Sequence, residues 1–400
     1  MTSPVLLTYL GCSLMCDEVP CATCIEWNNQ LEAEARGKAC FRIREKDVTL
    51  ANAVAEVRKL LHDAQRPVIF ADGHLTSAQG HLLVDLAAKE HAILTTQCTS
   101  ADAELTGAMA RRGASLCTLG EVSQRADVLV FWNVGSDAIE QIGQRLGKRE
   151  RKVFSVGVDG FREFAEFPLP TSTPLSRRSK GLTQPLSPHE KRTDAAEDLL
   201  TSLQLLLNGK TKDAAPDVLA VVDALLAADY PVIFVGDDAR SWHTPSAMRQ
   251  MVDVHLMLRE KNRAFVLALT HQTVALTVGN VLLSRTGYGD AVDFASVGKQ
   301  TMSDLSIEAL LKEGEIDLLL TVSDRENQRL HDLVSQSSRT VKTVSLSPAT
   351  GGVAEVVIST SRADVASYVL RFDGVPVPVR TAENPTVSPR LTEILTNLLT

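Results

Sequence analysis

The chain has no apolar run approaching the roughly 18 residues that a membrane-spanning helix needs. Its opening, Met1 to Leu10, has neither a cationic stretch nor a cleavable apolar core. A cytoplasmic location without a membrane partner is therefore the expectation. Positive charge is also in short supply: 41 Lys and Arg face 49 Asp and Glu, a formal net charge of -8. Binding along a phosphate backbone needs a basic footprint, so nucleic acid is not an expected partner. Cysteine pairs do not come out even. Seven cysteines without an export signal argue against a disulfide scaffold and leave reduced thiols or metal ligands. Common catalytic signatures are missing too: no Gly-x-Gly-x-x-Gly follows an apolar run, and there is no Walker A, Gly-x-Ser-x-Gly or His-Glu-x-x-His sequence.

What is present is a 400-residue chain, 44% hydrophobic, which is enough to bury the cores of several domains. After Asp47 a helical phrase alternates with short apolar runs. Leu50 to Ala64 is amphipathic and leads into Pro67-Val-Ile-Phe-Ala-Asp72, which reads as a buried strand ending in turn chemistry. The phrase returns when a helix from Val218 to Ala228 precedes Tyr230-Pro-Val-Ile-Phe-Val-Gly-Asp237. Further apolar runs lie at Asp127 to Trp132, Lys152 to Val158, Ala264 to Leu269, Ile316 to Val322, Thr340 to Leu346 and Ala354 to Ser359. This alternation predicts an α/β fold of interleaved doubly wound (Rossmann-like) parallel-sheet domains, with a small cysteine-bearing N-terminal segment.

The expected division runs 1–48 for the cysteine-bearing segment, 49–118 with 215–345 for a first, discontinuous α/β domain, and 119–200 for a second. Within the second, 168–194 holds five prolines and can sustain neither helix nor central strand. Residues 346–400 form a C-terminal segment, closing in a helix where Leu391, Ile394, Leu395 and Leu398 recur at helical spacing.

Ligands of doubly wound sheets sit at the carboxyl ends of strands, which makes Asp72 to His74, Asn133 to Asp137, Asp159, Asp237 to Arg240 and Ser323 to Arg325 candidate contacts. Asn133, Asp137 and Asp159 are the candidates for meeting the polar groups of a bound small ligand. The same residue types also serve helix capping and tight turns, so an ordinary structural role competes at each position. His74, His243, His255 and His271 have no partner at ligand spacing. The metal-like spacing is N-terminal: Cys12-x3-Cys16, Cys21-x2-Cys24 and Cys40 could converge on zinc or an iron-sulfur cluster, or be plain buried cysteines. Cys98, beyond Ala92 to Leu94, stands where a strand-end loop could expose it, although a lone cysteine is more often inert packing.

Three segments carry a resemblance: Cys117-Thr-Leu-Gly-Glu-Val-Ser-Gln-Arg-Ala-Asp-Val-Leu-Val-Phe-Trp132, Arg285-Thr-Gly-Tyr-Gly-Asp-Ala-Val-Asp-Phe294 and Arg371-Phe-Asp-Gly-Val-Pro-Val-Pro-Val-Arg380. With the opening Gly11-Cys-Ser-Leu-Met-Cys-Asp17, their order and spacing resemble the B-subunit family of formylmethanofuran dehydrogenase, within the molybdopterin oxidoreductase superfamily. The resemblance runs from about Thr8 onward. In redox-active members it implies a [4Fe-4S] cluster whose last three ligands fall here on Cys12, Cys16 and Cys40, while the first falls on Tyr9. It also implies a cysteine ligand to a tungsten or molybdenum pterin, for which Cys98 is the nearest match, although Thr99 and Ser100 replace the usual His-Gly.

These departures make the chain most similar to the B subunit of the bacterial formyltransferase/hydrolase complex, a version without redox centres. That likeness implies an architectural subunit with no cofactor of its own. Its expected partners are the A (hydrolase), C and D (formyltransferase) subunits and, through them, a methanofuran-type carrier that passes formyl groups from tetrahydromethanopterin to formate. The alternative is an active tungsten or molybdenum formylmethanofuran dehydrogenase subunit, with Cys98 on the metal and an incomplete cluster either tolerated or completed by Cys21 or Cys24.

Overall fold

The computed structural model describes residues 39–72, 75–96, 104–105, 107–109, 112–132, 134, 136–157, 160–164, 200–211, 214–236, 245–269, 272–289, 291–296, 305–323, 328–337, 340–347, 354–360, 367–370, 376–379 and 389–400. From the N-terminal side come β1 (Phe41–Ile43), β2 (Lys46–Asp47), α1 (Leu50–Asp63), β3 (Pro67–Asp72), α2 (Ser77–Lys89) and β4 (Ile93–Thr95). Next are α3 (Leu119–Arg125), β5 (Val128–Trp132), α4 (Ser136–Leu146), β6 (Lys152–Gly157) and β7 (Gly160–Phe164). They are followed by α5 (Pro216–Ala227), β8 (Pro231–Val235), α6 (Pro245–Arg259), β9 (Phe265–Ala268), α7 (Gln272–Thr286) and β10 (Ala291–Asp293). The chain then runs through α8 (Ile307–Glu313), β11 (Leu318–Ser323), α9 (Gln328–Ser335), β12 (Lys342–Ser347), β13 (Val356–Ser359), β14 (Ser367–Leu370), β15 (Pro376–Val379) and α10 (Leu391–Leu399). Among the described residues no helix is long and apolar enough to cross a membrane.

Two compact units result: Met1–Ala103 with Thr273–Arg371 and Pro376–Thr400, and Glu104–Gln272 with Phe372–Val375. The first is built on a sheet of order β10-β4-β3-β11-β12-β13-β1-β2, in which β4, β3, β11, β12 and β13 are parallel. Inner parallel strands are covered on both faces, which is why β3 is buried at all six positions and reads as one apolar run. Ile69, Leu318, Leu320, Val344 and Ile358 meet Val57, Leu61, Leu83, Leu86, Ile394 and Leu395 of α1, α2 and α10 on one face. Val68, Phe70, Ile93 and Leu319 meet Ile307, Leu310, Leu311 and Leu330 of α8 and α9 on the other.

The C-terminal helix belongs to this core. The Arg58 guanidinium donates to the Asn397 carbonyl at 3.0 Å, and the Lys89 ammonium donates to the Leu399 carbonyl at 2.8 Å. Two side-chain cations thus supply donors that the last turn of a helix lacks.

The second unit carries a sheet of order β7-β6-β5-β8-β9, parallel except for the β6/β7 pair. The observed division therefore runs elsewhere than the expected one. β8 hydrogen-bonds beside β5, which draws 231–235 and 265–268 into the second unit instead of grouping 215–345 with 49–118. β12, β13 and α10 complete the first unit, so 346–400 is not a separate segment. An apolar run shows that a strand is buried but not which sheet takes it, because inner strands of both sheets have the same composition.

Local signals agree with the helix starts. Thr76 and Gln79, and Thr118 and Glu121, form reciprocal capping boxes, and Ser306 caps α8. Gly314 ends α8 at φ 66°, a conformation in which a side chain is strained.

Candidate functional site

In the first unit the chain passes from β3 to β4 on one side, while β11, β12 and β13 extend on the other. Neighbouring connections diverge between β3 and β11, and the carboxyl ends of strands at such a switch point are where doubly wound sheets bind ligands. Both strands end on polar residues at the same level: Asp72 is the register partner of Ser323. Val322 pairs with Leu346, so the next residue along, Ser347, continues the row, and Ser347 pairs with Ser359. The Ser359 amide donates to the Cys40 carbonyl at 2.8 Å, which brings the start of β1 to the end of the row.

Strand alternation puts these side chains on one face. Asp72 is two residues beyond Phe70 and Ser323 four beyond Leu319, both packed on the α8/α9 face. Ser347 and Ser359 each follow a residue, Leu346 and Ile358, that packs on the opposite face. The row is enclosed: Asp72, Ser323, Ser347 and Ser359 are 3%, 1%, 4% and 2% exposed. The Ser359 hydroxyl is buried with no hydrogen-bond partner among the described residues. A buried polar atom left in this way costs about 1–3 kcal/mol, so such positions are uncommon unless something else meets them. Cys40, half-buried, has a free thiol.

Chemically the row offers one carboxylate and three hydroxyls. Such groups exchange hydrogen bonds with polar partners. Among the described residues no group of three or more His, Cys, Asp or Glu side chains could hold a metal ion.

Of the residues expected from sequence, the structure brings Asp72 and Ser323 together and sets Cys40 at the end of their row. Ser347, Ser359 and the buried Thr95 and Thr96, at and just beyond the end of β4, were not among the expected contacts. The available signal was the same at each: a small hydroxyl residue at the end of an apolar run. Tyr9, Cys12, Cys16, Cys21, Cys24, Cys98, Asn133 and Asp159 lie outside the described residues, as do His74, His243 and His271. Asp137 is the second residue of α4.

In the second unit the corresponding divergence lies between β5 and β8, where the Gly236 amide donates to the Trp132 carbonyl at 2.9 Å. Asn133 follows Trp132 directly in the chain. Other reactive groups in this unit lie away from the carboxyl ends of its strands. Cys117 is buried just before α3, and the Tyr230 phenol is pushed up to about 12 by burial first, then by Cys117 and Glu121. His255 is fully buried, its Nε2 accepts the Ser115 amide at 3.1 Å, and its pKa is pushed down to about 4 by burial and then by Arg259.

No protein-family profile matches the chain. Over 362 residues it is 23% identical to the B subunit of the tungsten-containing formylmethanofuran dehydrogenase 2 of Methanocaldococcus jannaschii, covering 85% of this chain and 80% of that one. Its fold superposes with a TM-score of 0.65 and 20% identity on a chain of the formyltransferase/hydrolase complex of Methylorubrum extorquens, solved by X-ray crystallography with methylofuran, covering 90% of this chain and 98% of that one. Over most of its length, then, the chain is a homologue of the formylmethanofuran dehydrogenase B subunit, and it has the fold of a chain in the formyltransferase/hydrolase complex.

Proposed function

We propose that this chain is a non-catalytic B-type subunit of a cytoplasmic formyltransferase/hydrolase assembly. The assembly moves a formyl group from formyl-tetrahydromethanopterin onto a methanofuran-type carrier and releases it as formate. In it the A subunit performs hydrolysis, C and D contribute the formyltransferase, and the present chain contributes surface to its partners. The fold shared with a chain of such a complex supports the assembly.

The observation that carries the non-catalytic reading is the donor set for the cluster that the dehydrogenase relatives imply. Its four positions fall on Tyr9, Cys12, Cys16 and Cys40. Three thiolates and a phenol do not match a four-thiolate cluster, because a phenol of pKa about 10 is a hard, protonated group at a soft iron site. The residues do not fit the cluster. Without a cluster, electrons have no relay to a pterin metal, and the Thr-Ser that follows Cys98 departs from the metal-binding loop in the same direction. The chain is accordingly expected to hold no tungsten, molybdenum or iron-sulfur cofactor.

A second reading, an active dehydrogenase subunit, is favoured by the similarity to a tungsten-containing protein along 85% of the chain. Anaerobic purification of the chain from its host with elemental analysis separates the two. Near-stoichiometric tungsten or molybdenum supports the dehydrogenase, and their absence together with copurifying hydrolase and transferase subunits supports the assembly reading.

A further inference from the structure

The chain is acidic overall, yet one corner of the second unit is crowded with cations. Residues 145–152, Arg-Leu-Gly-Lys-Arg-Glu-Arg-Lys, hold five cations and one carboxylate, while the whole chain carries -8. The Ser123 hydroxyl donates to the Leu146 carbonyl at 2.9 Å, and the Arg151 guanidinium donates to the Ser123 carbonyl at 3.0 Å. The Lys152 amide donates to the Asp127 carbonyl at 2.9 Å. These bonds join the C-terminal ends of α3 and α4 to the starts of β5 and β6, and they add Arg125 to the cluster. Arg125, Lys148, Arg149 and Lys152 are exposed, and Arg145 and Arg151 are partly so. This corner lies at the amino ends of β5 and β6, opposite the carboxyl ends at which doubly wound sheets bind ligands.

The cations of the corner are not paired from within. Among the described residues Arg125, Arg145, Lys148, Arg149 and Lys152 form no ion pair, and the Arg151 Nε and Nη1 groups have no acceptor. The nearby carboxylates keep their charge but are turned to other donors: Asp127 accepts the amides of Asp229 and Tyr230, Glu121 closes the capping box of α3, and Glu140 accepts from Gln144. Glu150 and Asp229, both exposed, remain. Cations in the last turn of a helix stabilise its dipole, which accounts for Arg125 and Arg145. It does not account for Lys148, Arg149 and Lys152, which lie beyond α4 and on β6. Burial first, and then the adjacent Arg149, pushes the Arg151 guanidinium down.

We propose that this basic corner is a docking surface for a cluster of Asp and Glu side chains on a partner subunit. The inference rests on the assembly reading above. Charge complementarity points to a protein carboxylate cluster over a nucleic acid. A long polyanion would extend past the corner over a chain whose total charge is -8. Exposed interface charges set salt dependence and partner choice, and like charges brought face to face exclude a partner.

The test is to tag the chain in its native host and purify it at low and high salt, as wild type, as K148E/R149E/K152E and as the neutral K148Q/R149Q/K152Q. Wild type is expected to bring down its partner subunits, with recovery falling as salt rises. Charge reversal is expected to lower recovery at low salt by about tenfold or more, with the glutamine variant intermediate. The isolated chains should melt alike, since the substituted side chains are exposed and form no ion pair among the described residues. Full partner stoichiometry in the reversed variant overturns the docking surface and leaves the assembly reading intact. Wild-type protein that emerges alone overturns both. Nucleic acid that copurifies with wild type and is lost on charge reversal, in place of protein partners, overturns the proposed occupant.

Discussion

Asp127 and Asp317 occupy the same place in two different sheets. Each stands just before a central parallel strand, β5 or β11, and accepts two consecutive backbone amides from the residues that enter the neighbouring strand. Asp317 takes those of Gln65 and Arg66 at 2.8 and 3.0 Å, and Asp127 takes those of Asp229 and Tyr230 at 2.7 and 2.9 Å. The entered strands are the two that begin Pro-Val-Ile-Phe, β3 and β8. In each unit this aspartate therefore pins together the two strands that flank the topological switch.

Substituting either aspartate by alanine removes both acceptors from a strand entrance. A hydrogen bond to a charged group contributes about 1.5–3 kcal/mol, so D127A and D317A should each lower stability by at least that range. Chemical denaturation followed by circular dichroism measures the loss. The Asn variants, with one acceptor oxygen, should fall between. An alanine variant as stable as wild type would show that the amides find other acceptors.

The close approach of Gly279 in α7 to Gly289 gives a contrast between two glycines. A Cβ on Gly279 would overlap the Gly289 carbonyl oxygen, a backbone atom that cannot swing aside, whereas a Cβ on Gly289 meets nothing nearer than 3.7 Å. G279A should cost on the order of 1–3 kcal/mol, and G289A much less. Equal melting temperatures for the two variants would contradict the packing described.

His255 makes the second unit sensitive to acid. Its folded pKa, about 4, lies below the ordinary 6.5, so the unfolded chain binds the extra proton first. The stability tied to the neutral imidazole is fully present above about pH 6.5 and is lost as pH falls from there toward 4, by up to roughly 3 kcal/mol. Denaturation midpoints between pH 7 and 4.5 should show this slope in wild type and a shallower one in H255Q. An identical slope in both would assign the acid sensitivity to other groups.

At Ser359 the hydroxyl is enclosed and satisfies nothing among the described residues. S359A should therefore be neutral or slightly stabilising in thermal melts, because it removes an unmet polar group from the interior. A loss above about 1 kcal/mol would mean that the hydroxyl is bonded in the folded chain.

The layered α/β fold was legible in the sequence because inner parallel strands must be apolar on both faces, and runs such as Pro67 to Ala71 and Leu318 to Val322 have no other place to go. The C-terminal helix was legible too, through Leu391, Ile394, Leu395 and Leu398 at helical spacing. The partition of strands between sheets was not, since Pro231 to Val235 and Pro67 to Ala71 are nearly the same string and nothing local says that one pairs with β5 and the other with β11. At the candidate site Asp72 and Ser323 could be read, being polar residues at the ends of long apolar runs. Ser347 and Ser359 could not be joined to them before the register was known, because a row across four strands is a property of pairing and serine at a strand end is ordinary. The basic corner shares that difficulty: Arg125 and Lys152 become neighbours through Ser123 and Arg151.

That this chain serves an assembly without a redox centre of its own meets its most direct test in the metal content of the protein purified anaerobically from its host. Inductively coupled plasma mass spectrometry on the intact complex, with optical and EPR spectra of the same sample, should find no tungsten or molybdenum and no iron-sulfur signal attributable to this chain. Near-stoichiometric tungsten or molybdenum, or about four irons per chain with a [4Fe-4S] spectrum, would contradict the account and make the chain a working dehydrogenase subunit.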